Sequence, residues 1–347
     1  MHIKKTYLCR DIHDFSVDEN IPSDYAPAPG DVAVFEILEI GKHKTVQADS
    51  RRNMTIIPGD YMMAAFGNRY ATAQFEGYVP PDLNRDLHIL GAGGVIGVVK
   101  STHYDFIDIG PTFVKPVGLV RDKDGKHINT KTAKQNLVKQ FTTNFEKPVK
   151  VILSLGSSMD SGKSTTASYL VNGIKRAGNR VAFIKLTGTA YTKDADLNFD
   201  LGADVIADFS DFGFPSTYMC EEKELMDLYY SLINKVMAKD PEYIVMEIAD
   251  GIFQRETLML IKNRELMSTV YSVIFSAGDS LSAIHGVNEL QSNGINPFAL
   301  SGLFTTSPLL IDEVNCFKNF DVPVVTIDDL SRQAMNYLAE QNSKMVS

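Results

Sequence analysis

Residues Val149 to Gly178 read VKVILSLGSSMDSGKSTTASYLVNGIKRAG. A short apolar run, Val151-Ile152-Leu153, leads into a glycine-bearing loop that closes on Gly162-Lys163-Ser164-Thr165. Beyond it Ala167, Leu170, Val171, Ile174 and Ala177 recur at helical spacing, and Gly178 stands where a C-cap glycine belongs. Strand, loop, helix is the order a phosphate cradle requires, because loop N–H groups and the positive end of the helix then face one anion. In that pattern Lys163 reaches the terminal phosphates and the Ser164 hydroxyl ligates Mg²⁺. The loop is one residue longer than usual, since the glycine expected at Ser157 stands at Gly156. The expected nucleotide-binding set is therefore Gly156, Ser157, Ser158, Met159, Asp160, Ser161, Gly162, Lys163, Ser164 and Thr165, with ATP or GTP and Mg²⁺ as cofactors.

From residue 149 onward strand and helix patterns alternate. Strands are expected at 150–155, 181–186, 243–248, 269–275, 299–304 and 323–327, and helices after the loop and at 221–239, 255–267, 280–291, 309–319 and 329–342. Such alternation implies βαβ units and a parallel sheet, with ligands at the carboxyl ends of the strands. Glu247 and Asp250 follow the apolar run YIVM and are the expected Mg²⁺ ligands beside Ser164. Lys185 ends VAFIK, where an ammonium among apolar residues calls for an anion, so it is expected to position an acceptor or a phosphate. Asp160, three residues before Lys163, is a candidate to orient an acceptor or a water, or to cap the loop. Lys163, Lys185 and Asp160 form the expected catalytic set. The run DADLNFDLGADVIADFSD, residues 194–211, is dense in carboxylates; Asp200, Asp204 and Asp208 fit one helical face, while Asp208 or Asp211 fits a strand end. Arg255 is a candidate phosphate contact, Thr305, Thr306 and Ser307 candidates for the base or acceptor, and His285 reads as packed or exposed.

Residues 1–145 read as a smaller β-rich domain, a barrel or sandwich with a linker, ahead of an α/β domain at 146–347. Pro29-Gly30-Asp31 and Pro58-Gly59-Asp60 each signal a turn into a strand, and Asp124-Gly125 signals a hairpin. Gly91, Gly93, Gly94 and Gly97 imitate a dinucleotide fingerprint, but VIGVVKS after them is β-branched and no helix follows, so a turn or bulge is expected.

Composition narrows the classes. The 347 residues contain no apolar run near the ~20 residues of a membrane span, and the start MHIKKTYLCRDIHDF lacks a signal peptide's apolar stretch. Three scattered cysteines, Cys9, Cys220 and Cys316, make neither a disulfide framework nor a zinc site and suit a reducing cytoplasm. Residues 1–150 carry 19 Lys and Arg against 18 Asp and Glu, whereas the remainder carries 15 against 25. An acidic phosphate-loop half argues against a nonspecific grip on nucleic acid. The expected partners are a nucleotide and a small-molecule acceptor, with no membrane; a homo-oligomer stays open.

Gly156, Gly162-Lys163-Ser164, Lys185 and Glu247 together resemble the dethiobiotin synthetase-like branch of P-loop proteins, over residues 149–327. That resemblance implies a second-strand lysine at the acceptor's carboxyl or carbamate and an acid on Mg²⁺. The chain departs from it at Ser158, where the family has a loop acid, and at Ala249-Asp250-Gly251, where the family is glycine-rich. GSSMDSGKST is also similar to the loop of polynucleotide 5′-hydroxyl kinases, which carry an N-terminal β domain. A third likeness is to P-loop proteins of similar length that hold the pyrophosphate of acetyl-CoA for N-acetyl transfer. The leading expectation is ATP·Mg²⁺-dependent phosphoryl transfer, of synthetase or kinase type, to a carboxylate- or amine-bearing acceptor. The alternatives are the polynucleotide kinase, the CoA-dependent N-acetyltransferase and a nucleotide-switch or assembly ATPase.

Overall fold

The computed structural model describes residues 2–346, of which residues 341–346 are described by their helical backbone alone. Its contacts divide the chain into two units, one made of Met1–Val138 with Gly188–Thr192 and Phe209–Cys220, the other of Lys139–Thr187, Lys193–Asp208 and Glu221–Ser347.

The first unit is built on strands β1 (Ile3–Lys5), β2 (Ser16–Asp18), β3 (Val32–Glu39), β4 (Thr45–Gln47), β5 (Asn53–Thr55), β6 (Tyr61–Phe66), β7 (Phe75–Tyr78), β8 (Leu87–Gly91), β9 (Val95–Thr102) and β10 (Phe113–Arg121). β6 pairs with β3, β3 with β10, β10 with β8, β8 with β9, and β9 again with β6. That circuit closes a five-stranded barrel, which removes sheet edges along its path. Alternate residues fill it: Ala33, Phe35 and Ile37 of β3, Met62, Ala64 and Phe66 of β6, and Leu87 and Ile89 of β8 are all buried in one cluster. The two Pro-Gly-Asp turns lead into β3 and β6 as expected. The glycines of residues 91–97 lie at the β8–β9 turn, where antiparallel pairing carries His88 opposite Gly97. The Asp124-Gly125 turn is closed by hydrogen bonds across Asp122 and Lys126. A single helical turn, α1 (Thr130–Ala133), follows.

The second unit alternates β11 (Lys150–Gly156), α2 (Lys163–Arg176), β12 (Val181–Lys185), α3 (Lys193–Asp200), β13 (Val205–Asp208), α4 (Glu222–Val236), β14 (Tyr243–Glu247), α5 (Arg255–Lys262), α6 (Arg264–Ser268), β15 (Val270–Ser276), α7 (Ser280–Ser292), β16 (Ala299–Ser301), α8 (Pro308–Phe317) and α9 (Ile327–Val346). The sheet runs β13-β12-β14-β11-β15-β16 and every neighbouring pair is parallel. The fold class is therefore α/β, with a parallel sheet in the second unit and a separate β-rich region before it. Ile152, Phe183, Val245 and Ile274 of the sheet bury against Leu170, Val171 and Ile174 of α2 and Leu330, Ala334 and Leu338 of α9. Burying such side chains stabilises by about 1.5–3 kcal/mol each.

Three expectations need correction. The segment 323–327 makes only a bridge from Val324 to Leu300, and α9 already starts at Ile327. The sixth strand is β13, where Val205 and Ile206 favour pairing with β12 over an acidic helix; Asp200, Asp204 and Asp208 accordingly share no helical face. The helix expected over 255–267 breaks at Asn263, whose side chain accepts from Leu266 N–H and restarts it.

Candidate functional site

β11 delivers Gly156 to the carboxyl edge of the sheet, and three hydrogen bonds fix the loop that follows. Ser157 N–H donates to Ser276 O at 2.9 Å, Ile252 N–H to Gly156 O at 2.9 Å, and Leu303 N–H to Ser161 O at 3.0 Å. The loop is thus tied to the end of β15 and to the turns after β14 and β16. A Cβ on Gly156 would lie 2.5 Å from both Lys163 Cγ and Ser161 Oγ, so only glycine fits there. Gly162 takes φ +94° with a would-be Cβ 2.9 Å from Leu303 N, which again demands glycine at the start of α2.

Lys163 is buried, and its ammonium donates to Ser158 O at 2.6 Å, curled into the loop it serves. Burial lowers its pKa, against the pull of Glu247 and Asp250. Asp160 sits exposed at the loop tip with φ +60°. Ser158 and Thr165 are exposed, and Met159 is half-buried.

The carboxylates gather on the other side of Lys163. Ser164 Oγ donates to Glu247 Oε1 at 3.2 Å. Glu247 ends β14 and is 2% exposed. Its register neighbour on β12 is Lys185, which in turn lies opposite Asp208 on β13. Lys185 Nζ is bonded to Asp194 Oδ2 and stands 3.8 Å from Glu247 Oε1. One ammonium is thus held between two carboxylates. Burial alone would lower the Lys185 pKa, but Asp194 and Glu247 outweigh it and the net direction is up. Burial would raise Asp194, but Lys185 outweighs it and the net direction is down. For Glu247 burial and the Asp194 charge prevail over Lys185 and Lys163, and its pKa is raised.

Several polar atoms at the site end without partners. Ser157 Oγ, Ser161 Oγ and Glu247 Oε2 are buried and unbonded, and such atoms are costly unless something satisfies them. Their chemistry fits a phosphate-bound cation: hydroxyl donors on the loop, hard oxygen acceptors at Ser164 and Glu247, and an ammonium on the anion side. Among the described residues no group of three or more His, Cys, Asp or Glu side chains could hold a metal ion alone. A cation here would have to complete its shell with phosphate oxygens and water, as Mg²⁺ does.

The remaining candidates separate. Asp250 is half-buried beyond Ala249, whose carbonyl and N–H both bond the Thr187 hydroxyl, at 2.7 and 2.8 Å. Arg255 donates to Glu256 Oε1 at 2.6 Å. The Thr305 and Thr306 hydroxyls turn back to Gly302 O and Leu303 O. Asp211 belongs to the first unit and pairs with Arg10 at 3.1 Å, so Asp208 is the strand-end acid. His285 is exposed, with its ring 6.4 Å from that of Phe253. Asp194 is the site residue that sequence reasoning did not single out. It opened a run of like carboxylates, and nothing in the spacing told which of them α3 would aim at Lys185.

No family model matches the chain, and no curated protein matches it. Among solved structures, the signal recognition particle receptor FtsY of Elizabethkingia anophelis matches at 16% identity and TM-score 0.38, over 62% of this chain and 74% of that one. The chloroplast FtsY of Physcomitrella patens matches at 15% and 0.38, over 60% and 72%. The signal recognition particle 54 kDa protein of Aeropyrum pernix K1, in complex with GDP, matches at 14% and 0.39, over 58% and 49%. At these identities and TM-scores the likeness carries no function to this chain. Among the described residues no helix is long and apolar enough to cross a membrane.

Proposed function

We propose that this chain binds a nucleoside triphosphate with Mg²⁺ at the loop 156–165 and cleaves the terminal phosphate as a nucleotide-dependent switch. Lys163 and the loop N–H groups would hold the phosphates, and Ser164 and Glu247 would hold the cation, with Asp250 and Asp194 as the nearby acids. The cation would supply charge neutralisation at the transferred phosphoryl group, where positioning and electrostatics provide most of the catalysis. Asp160, exposed at the loop tip, is the loop's own candidate for orienting a water. The observation that carries the switch reading is the engagement of Lys185. A lysine assigned to an acceptor should present a free ammonium, whereas this one is bound to Asp194 and close to Glu247.

Phosphoryl transfer to a small carboxylate- or amine-bearing acceptor is the second reading. It is favoured by the position of Lys185 at the carboxyl end of β12, one strand from Glu247. Hydrolysis assays separate the two. Slow, Mg²⁺-dependent cleavage of ATP or GTP without any acceptor, lost in Lys163→Ala, supports the switch. Cleavage that stays absent until a carboxylate or amine metabolite is added supports transfer. Binding of acetyl-CoA, indifferent to Mg²⁺ and without triphosphate binding, overturns both.

A further inference from the structure

Ala249 stands in the turn that follows Glu247, and its peptide groups are held by two buried threonines. Thr187, two residues beyond Lys185, donates to Ala249 O at 2.7 Å and accepts from Ala249 N–H at 2.8 Å. Thr257, in the first turn of α5, donates to the same carbonyl at 3.1 Å. The two threonines are 1% and 0% exposed, in surroundings where hydrogen bonds are strong. Leu186 N–H donates to Glu247 O at 3.0 Å and continues the join between β12 and β14.

On the other side of Asp250 the chain meets the phosphate loop. A Cβ on Gly251 would lie 2.4 Å from Ser157 O and 3.0 Å from Ser158 Cα, and Ile252 N–H donates to Gly156 O at 2.9 Å. Lys163 Nζ rests on Ser158 O, 2.6 Å away. Asp250 is thus fixed through both neighbours, Ala249 by the threonines and Gly251 by the loop segment that carries the Lys163 ammonium. Burial lowers the Lys163 pKa; Glu247 opposes it most, Asp250 next and Asp160 least. Asp160 lies exposed at the loop tip. Orienting a water requires a carboxylate that the fold holds in one place. Of the two aspartates, Asp250 has the anchored backbone.

We propose that Asp250 orients the water that attacks the terminal phosphate, and that Thr187 is the positioning residue that holds Asp250 in place. This rests on the proposed cleavage of a triphosphate at the loop 156–165. The water oxygen bonds to the γ-phosphorus as the bond to the β–γ bridging oxygen breaks. The bridging oxygen keeps that electron pair and leaves on the diphosphate, and one water proton passes through Asp250 to solvent.

The test measures steady-state cleavage of ATP and GTP beside calorimetric binding of their non-hydrolysable analogues with Mg²⁺. Asp250→Asn should lower kcat by about 10² to 10³-fold while affinity stays within about three-fold. Thr187→Val should lower kcat about ten-fold at unchanged affinity, and Thr187→Ser should restore it. Thr257→Val, which leaves Thr187 on Ala249 O, should cost less kcat and carries the same test if Thr187→Val does not fold. An affinity loss of about ten-fold or more in Asp250→Asn would make it a cation ligand and overturn the proposal. So would a larger kcat loss from Asp160→Asn than from Asp250→Asn, or kcat and affinity falling together in the threonine variants. A wild-type chain that binds or cleaves no triphosphate overturns the proposed function and this inference together. Wild-type turnover retained in Asp250→Asn overturns this inference alone.

Discussion

Two lysines in this molecule are drawn in from water, Lys185 more fully than the half-buried Lys42, and their surroundings differ in one respect. Lys185 is held by Asp194 and faces Glu247, so two carboxylates answer one ammonium. Lys42 is answered by an amide oxygen and two aromatic rings. The consequence is opposite in sign. Burial would lower both, yet Lys185 is raised by its acids whereas Lys42 is lowered to about 8, by burial first and Arg69 second. A buried cation is therefore evidence of a ligand only where the protein does not itself supply the counter-charge. At the phosphate loop the counter-charge exceeds what Lys185 needs, and the surplus at Glu247 is what a divalent cation would use.

The largest effect expected is on the loop. Lys163→Ala should weaken triphosphate binding by about 10² to 10³-fold, the scale of removing one member of a buried charge contact. Titration calorimetry reads this directly, and retained affinity would remove the loop from the site. Next comes Lys185→Met, which leaves Asp194 and Glu247 facing each other without a counter-ion. It should cost about 3 kcal/mol in urea unfolding, at the lower end for breaking a buried pair because Asp194 keeps some solvent contact. Asp194→Asn in the same background should restore part of that loss. If Lys185→Met is neutral, the carboxylates share a proton and the contrast with Lys42 collapses.

How much of this could be read in the sequence follows from distance along the chain. The loop was legible because Gly156, Gly162, Lys163 and Ser164 fall within nine residues, and strand and helix flank them locally. Glu247 was legible because a parallel strand ends in it. Asp194 was not, since its meaning depends on where α3 begins relative to Lys185. The strand β13 was legible only at its end, where Asp208 follows an apolar run; its start was hidden by the acidic spacing of Asp200, Asp204 and Asp208, which imitates a helix until Val205 and Ile206 pair with β12. The Lys42–Gln74 contact joins residues on different sides of a barrel connection, and neither belongs to a motif.

A smaller effect tests the surplus at Glu247. Its pKa is raised above the ordinary 4.5 by burial first and by Asp194 second. Cation binding needs the ionised form, so Mg²⁺-dependent nucleotide affinity should weaken as pH falls, starting above the ordinary carboxylate range. Below the folded pKa the loss approaches about ten-fold per pH unit. The affinity of the Glu247→Gln variant should be low and flat over the same range. A wild-type profile that stays flat until the ordinary carboxylate range would show that Glu247 is ionised throughout.

The smallest effect belongs to Lys42 and has the sign opposite to that of a lysine paired with a carboxylate. Its folded pKa, about 8, lies below the ordinary 10.5. Between those values the folded chain has released a proton that the unfolded chain still holds, so stability rises with pH. The residue is half-buried and solvent screens part of the interaction, so the gain should be about 1 kcal/mol or less. His43 beside it titrates elsewhere and is neutral throughout this window. Urea unfolding midpoints across the window should rise for the wild type and stay level for Lys42→Met, which replaces the ammonium with an apolar body against Phe75 and Phe106. A wild-type midpoint that falls there would place an unrecognised carboxylate beside Lys42, making it a second Lys185.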